Sequence, residues 1–331
     1  TYNKLGQLEE AVLSYEKALN IDTDYADAHN NLGVVLGKKG FANDAVKSFE
    51  KAIDLMIKKL TINPNDFNTL NNLGIAFFET KYFEESMASY QKALVIQPNL
   101  AEVWNNLGTV FQKLNQYEDA IKSFEKAYSI NPEIDYVLGN ILGAKINCCD
   151  WNGLEELLVD AKKRIINNEK VIDSHTLTGL IDNPALQRKT AELFTQYHYP
   201  KKKSLTLIDR YPKHPKIRIG YFSADFREHP VGFLTAELYE LHDRNHFEIH
   251  AFSLDSDSTI DHINLRIKSG VNYFHDMKSM SHQEIFDQAR SLEIDIAIDL
   301  GGFTHESRTD VFAMSAAPIQ LSYIGFLGTM A

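Results

Sequence analysis

A frame of about 34 residues recurs through the first 132 positions of the chain, and no other feature restricts the fold as strongly. Small residues stand at Ala11, Ala45, Ser86 and Ala120, spaced 34, 41 and 34 residues apart. Leu32-Gly33, Leu73-Gly74 and Leu107-Gly108 lie twelve to thirteen residues ahead of three of them. An aromatic follows each small residue at Tyr15, Phe49, Tyr90 and Phe124, and an alanine comes next at Ala18, Ala52, Ala93 and Ala127. Pro64, Pro98 and Pro132 close three copies, with Thr23 in the first. Small residues let antiparallel helices approach, the leucine and aromatic fill the next layer, and proline stops the second helix. Stacked helical hairpins, each burying its apolar face against its neighbours, are the expected outcome.

The period and the Trp104-Asn105-Asn106-Leu107-Gly108 wording with Phe111 match the tetratricopeptide pattern. We therefore expect repeats over 1–132, divided as a partial 1–24 and then 25–64, 65–98 and 99–132. The 41-residue step holds seven extra residues around Ile53 to Leu60, close to two helical periods, so the second helix lengthens with its apolar face in register. Asn31, Asn72 and Asn106 recur just before each Leu-Gly. A side-chain amide both donates and accepts, so such a ladder suits the backbone of an extended acceptor peptide. A polar helix surface, or bonding to the neighbouring repeat, accounts for the same residues equally well.

The net charge of −11 excludes a nucleic-acid backbone as the main partner, because phosphates require clustered lysine and arginine. Lys201-Lys202-Lys203, beside Pro200, reads as a solvated linker. Adjacent Cys148 and Cys149 read as reduced structural thiols of a cytoplasmic or nucleocytoplasmic protein. No apolar signal core and no membrane-length apolar run are present in the 331 residues, so no membrane is expected as a partner. The first residue is Thr1, inside a helical pattern and with no initiator Met, and the protein is expected to begin earlier.

The frame fades over 133–213, which reads as an irregular helical cap and linker. Helical spacing persists at Gly139 to Ala144, Leu154 to Ile166 and Ala185 to Tyr197, and His175 and His198 read as structural. From 214 the pattern becomes strand–helix alternation. Strands are expected at Ile217–Ser223, Phe247–Ser253, Asn272–His275, Ile294–Leu300 and Pro318–Ile324. Helices are expected at Phe233–Leu241, Ile263–Ile267 and Ser281–Leu292, the last opened by a Ser281-x-x-Glu284 capping box. This is the pattern of a doubly wound parallel sheet, a Rossmann-like α/β lobe behind an all-α solenoid.

Ligands of such sheets bind at the carboxyl ends of the strands. Three features collect there: His229 after the first strand, the Gly301-Gly302-Phe303-Thr304 loop, and Gly325-Phe326-Leu327-Gly328-Thr329. Strand-end glycines allow close approach and leave N–H groups to face an anion. Asp255-Ser256-Asp257 has the form of a metal-binding DxD but reads as a surface loop, and no metal or other cofactor is expected.

Taken in order, His214 to Tyr221, Ser223-Ala224-Asp225-Phe226-Arg227-x-His229, Asp299 to Thr304 with Arg308, and Ala317-Pro318-Ile319-Gln320 with Gly325 and Gly328-Thr329 resemble the catalytic region of protein O-GlcNAc transferases. The Asp225-Phe226-Arg227 wording is similar to that of bacterial-type members. The resemblance implies a two-lobed GT-B glycosyltransferase whose first lobe is 214–331. It implies inverting transfer of GlcNAc from UDP-GlcNAc to Ser or Thr hydroxyls of proteins, with repeats that hold the acceptor. His229 matches the family's active-site histidine, and Asn31, Asn72 and Asn106 match its peptide groove. A second family histidine falls at Tyr273, with His275 two residues on. The family's other lobe carries most UDP contacts, including a lysine on the diphosphate, so residues 1–331 alone are expected to be inactive or nearly so. Two further readings stay open: a non-catalytic tetratricopeptide adaptor, and a related protein O-fucosyltransferase.

Overall fold

The computed structural model describes residues 8–199, 211–212, 214–254, 260–304, 307–326, 328 and 330. The expected tract at Lys201–Lys203, the Asp255–Asp257 triplet and Thr329 lie outside the described residues. The chain packs as two units, Thr1–Leu193 and Phe194–Ala331.

In the first unit, seven helices form the repeat hairpins: α1 (Leu8–Ile21), α2 (Ala26–Lys38), α3 (Ala42–Ile62), α4 (Phe67–Glu79), α5 (Phe83–Ile96), α6 (Ala101–Lys113) and α7 (Tyr117–Ile130). The joint within each hairpin is a glycine on the first helix seated against an aromatic ring on the second. A Cβ at Gly33, Gly74 or Gly108 would stand 2.9, 2.5 or 2.6 Å from the ring of Phe49, Tyr90 or Phe124. These three rings are buried, so the recurring Leu-Gly and the aromatic sixteen residues later are one packing unit. Ser86, where the other copies have alanine, is also buried, and its hydroxyl donates to the Gly74 carbonyl at 2.7 Å. The expected insertion is realised as helix: α3 has 21 residues against 14 in α5 and α7, and its Leu60 packs beside Leu70 and Tyr90 of the next hairpin. The three prolines follow helix ends at Ile62, Ile96 and Ile130.

Asp66 caps α4. Its carboxylate accepts from the Thr69 N–H and hydroxyl and pairs with Lys59. The Thr69 hydroxyl is the largest influence holding this carboxyl down at about 2, with the Thr69 N–H and Lys59 assisting against burial. Asp66→Ala is expected to lower the unfolding free energy by about 1–2 kcal/mol, read from a urea midpoint. The wild-type advantage is present above the unfolded carboxylate range near 3.9 and fades as pH falls through about 2.

Beyond the repeats come α8 (Val137–Asn147), α9 (Leu154–Ile166), the short α10 (Ser174–Thr178) and α11 (Pro184–His198). They share a core of Leu138, Leu142, Ile165, Ile172 and Leu177. The buried Lys145 ammonium is held by Asp150 and the Asn152 carbonyl. Cys148 is half-buried and Cys149 exposed, both as free thiols.

The second unit is a five-stranded, all-parallel sheet in the order β3-β2-β1-β4-β5. The strands are β1 (Ile217–Ser223), β2 (Phe247–Ser253), β3 (Tyr273–Asp276), β4 (Ile296–Asp299) and β5 (Ile319–Ser322). The helices are α12 (Pro230–Leu241), α13 (His262–Gly270), α14 (His282–Ser291) and α15 (Thr309–Ala313). One face buries Ile219, Tyr221, Ile249 and Ala251 with Val231, Tyr239 and Ile267 of α12 and α13. The other buries Phe222, Phe252 and Ala297 with Ile285 and Val311 of α14 and α15. The order reverses at β1, with β2 on one side and β4 on the other, which is where doubly wound sheets open a crevice. The Ser281–Glu284 capping box is present in both directions.

One helix starts earlier than its sequence suggests. α12 begins at Pro230 rather than Phe233, because His229 is its N-cap and proline suits the first turn. That shift places His229 on the helix it opens.

Candidate functional site

The loop from β1 to α12 is tied down at nearly every residue. Ser223 is buried, and its Oγ accepts from the Asp225 N–H at 2.9 Å. Phe226 is buried against Tyr239 and Phe274, and its carbonyl accepts from Asn264 of α13 at 2.7 Å. The Glu228 N–H donates to Asp261 at 2.6 Å. Gly232 is required by close approach, since a Cβ there would lie 2.2 Å from the Arg227 carbonyl oxygen. His229 emerges from this anchored turn with 39% of its side chain exposed.

The His229 ring has two partners at one nitrogen. Nδ1 accepts from the Val231 N–H at 3.3 Å, and Asp225 Oδ2 lies 3.6 Å from the same atom. The other Asp225 oxygen faces Arg227 at 3.4 Å. Asp225 also lines a narrow crevice with Phe222, Ser223, Leu254, Asp299, Gly301, Thr304 and Ser307. The β1 and β4 ends expected from the sequence are thus brought together, with His229 attached through Asp225.

The glycine loops have a different reason from the one expected. The N–H groups of Gly301 and Gly302 both donate to Asp299 Oδ1, at 2.9 and 3.0 Å, so an internal carboxylate occupies them rather than a bound anion. Burial pushes the Asp299 carboxyl above its ordinary value, opposed by the Gly302 and Gly301 N–H groups. Gly302 has φ +59°, in the left-handed region. Thr304 bonds back to the Gly301 carbonyl, and Thr309 to that of Gly302. The loop after β5 lies on this one: the Tyr323 N–H donates to the Asp299 carbonyl, and Gly325 sits against Leu300 and Gly301. Phe326 packs on Phe303, which also meets Phe194 and Tyr199. Gly328 is half-buried.

Asp225, Asp299, Ser223 and Ser307 line the crevice, although none was expected there individually. A carboxylate directly before Gly-Gly was the available signal for Asp299, and Ser-x-Asp at a strand end was the signal for Asp225. The lining residues include carboxylates and hydroxyls but no lysine or arginine.

Tyr273 and His275 stand on β3, two strands from β1. His275 Nε2 lies 3.0 Å from His250 Nδ1, and His250 Nε2 lies 3.0 Å from Glu248. Burial is the main cause holding both rings below their ordinary range. His250 adds to it for His275, which falls to about 4. The unfolded chain then takes up protons near pH 6.5 that the folded chain refuses until about 4. Stability is expected to fall as pH drops through that window and to level off below it. Denaturant midpoints of His275→Phe should show a flatter slope there, and an unaltered slope would contradict the assignment.

In the repeats, the Asn72 amide donates to Asp27 of the preceding hairpin at 2.9 Å, so this ladder position serves inter-repeat bonding. Asn31 and Asn106 are half-buried. A neighbouring set one residue earlier was not anticipated. Asn140 donates to Asn105 at 3.1 Å across adjacent first helices. Asn30 is buried, and its Oδ1, like that of Asn71, has no partner among the described residues.

Among the described residues no cluster of three His, Cys, Asp or Glu side chains is placed to hold a metal. No helix among them is long and apolar enough to cross a membrane.

Residues 186–331 match Glycosyl transferase family 41. Residues 1–40, 77–115, 101–134 and 26–55 match tetratricopeptide repeat families. The probable UDP-N-acetylglucosamine–peptide N-acetylglucosaminyltransferase SEC of Arabidopsis thaliana is 37% identical over 114 residues, 34% of this chain and 12% of that protein. The UDP-N-acetylglucosamine–peptide N-acetylglucosaminyltransferase of Caenorhabditis elegans is 31% identical over 117 residues, 34% of this chain and 10% of that one. The chain therefore spans about an eighth to a tenth of the length of these curated relatives. A solved mutant of Thermobaculum terrenum O-GlcNAc transferase aligns over 91% of this chain and 51% of its own at 21% identity, with a TM-score of 0.48. The chain thus joins regions that match tetratricopeptide repeats to a region, 186–331, that matches glycosyl transferase family 41.

Proposed function

We propose that the chain is the acceptor-side part of a protein O-GlcNAc transferase with a GT-B architecture. In this reading the repeats hold an extended acceptor polypeptide, through the half-buried Asn31 and Asn106. The parallel sheet presents His229 to the reacting hydroxyl. The Ser or Thr oxygen attacks the anomeric carbon of UDP-GlcNAc, the bond from that carbon to the diphosphate oxygen breaks with its electron pair, and the hydroxyl proton passes to the imidazole. Inversion follows from attack opposite the leaving group, through a state with oxocarbenium character.

The observation that carries the reading is His229, exposed at the end of β1 and tied to Asp225, which lies with Asp299 and Gly301 of the β4 end in the region that matches family 41. The diphosphate's charge has to be met by cationic groups. The reaction as drawn uses no bound metal and takes place on intracellular proteins.

The test is transfer of labelled GlcNAc from UDP-GlcNAc to a Ser/Thr-rich polypeptide by the protein expressed from its whole gene, with and without EDTA. EDTA-insensitive labelling on hydroxyl side chains is expected. Labelling from GDP-fucose alone would move the protein to the fucosyltransferase reading, and no transfer from either donor would leave the adaptor.

A further inference from the structure

The neutral His229 ring drawn above has its proton on the wrong nitrogen for a base. While Nδ1 accepts from the Val231 N–H at 3.3 Å, its lone pair is engaged and the ring proton resides on Nε2. An imidazole protonated at Nε2 donates a hydrogen bond outward and cannot take a hydroxyl proton there. The only acceptor that the described residues bring to Nδ1 is Asp225 Oδ2, at 3.6 Å, a few tenths of an ångström beyond hydrogen-bond length. Asp225 is itself held in place. Its N–H is fixed on Ser223 Oγ, and its other oxygen faces Arg227 at 3.4 Å. Its side chain is only 17% exposed.

We infer that Asp225 is the positioning residue of His229 and sets which of its nitrogens carries the proton. The pair has two arrangements. In the capping arrangement Nδ1 takes the Val231 N–H and α12 has its N-cap. In the working arrangement Nδ1–H donates to Asp225 Oδ2, the Val231 N–H gives up its side-chain partner, and Nε2 carries the lone pair. Passage between them needs only a ring movement of less than an ångström and a proton exchange with water, because the atoms already lie at 3.3 and 3.6 Å. A carboxylate acceptor makes a stronger bond than a backbone amide donor, which is why the second arrangement is accessible. The role in catalysis rests on the proposed function, but the tautomer switch does not.

The experiment reads the tautomer directly. The whole chain is labelled with 15N-histidine, and long-range 1H–15N spectra are recorded at a pH where imidazoles are neutral. They identify which ring nitrogen of His229 bears hydrogen. Wild type is expected to show both tautomers in exchange. Asp225→Asn preserves the shape but offers an amide donor to Nδ1, and Asp225→Ala removes the acceptor. Both should move the ratio toward Nε2–H by about tenfold or more. Arg227→Gln releases the competing cation from Asp225 and should move it the other way. A wild-type ring wholly protonated at Nε2, or a ratio indifferent to all three substitutions, overturns the inference. A switch in an otherwise inactive whole-gene protein would uphold the pair and sink only the transferase reading.

Discussion

Asparagine at position 229 is expected to fold like the wild type and to lower transfer by about 10²–10⁴-fold. The reason lies in the two duties the structure gives His229. Its Nδ1 caps α12 by accepting from the Val231 N–H, a duty asparagine performs as well as any residue. Proton acceptance at Nε2 is a duty that an amide cannot perform, since it has no basic lone pair near neutral pH. His229→Ala removes both and should lose about 1 kcal/mol of stability as well. The check is kcat and KM for acceptor and nucleotide sugar in the whole-gene protein, alongside thermal midpoints. The expected signature is a fall in kcat in both variants, with a lowered midpoint in the alanine variant alone. Undiminished turnover in His229→Asn removes the imidazole from the chemistry.

Gly325→Ala is expected to be the most damaging single substitution for the architecture of the crevice. A Cβ at this position would lie 1.6 Å from the Leu300 carbonyl oxygen and 2.7 Å from its carbon. No rotamer relieves such a clash, because Cβ is fixed by the backbone, and the obstructing atoms are backbone as well. The β5 loop must therefore lift from β4. It would give up the bond from the Tyr323 N–H to Asp299 and the packing of Phe326 on Phe303. We expect a loss of about 3 kcal/mol or more. Gly302→Ala, at φ +59° and with Phe326 Cβ 2.4 Å from the added carbon, should follow it. Gly37→Ala in α2 serves as the control. Its nearest obstruction is 3.9 Å away, and it should gain up to about 1 kcal/mol from helix propensity. A Gly325→Ala protein with the wild-type midpoint would mean that this loop does not rest on Leu300.

The amino-acid sequence by itself determined the two architectures. Helical period, the recurring glycine and aromatic, and the closing prolines are local or short-range signals. A hairpin that buries its own face needs no distant information to form. The same holds for β1 and β2, whose expected bounds agree with the observed ones because short apolar runs bounded by polar turns define them. The seven added residues of α3 were legible for that reason too. Tertiary structure alone decided which groups answer one another. Asp299 consumes the N–H groups of Gly301 and Gly302, Asn72 is drawn to Asp27, and His250 bonds His275. The tie between His229 and Asp225 also depends on a loop pinned by Asn264 and Asp261 from another helix. Hydrogen bonds and proton positions depend on distances of a few tenths of an ångström between residues remote in the chain. A pattern of residue types can name the participants but cannot fix those distances.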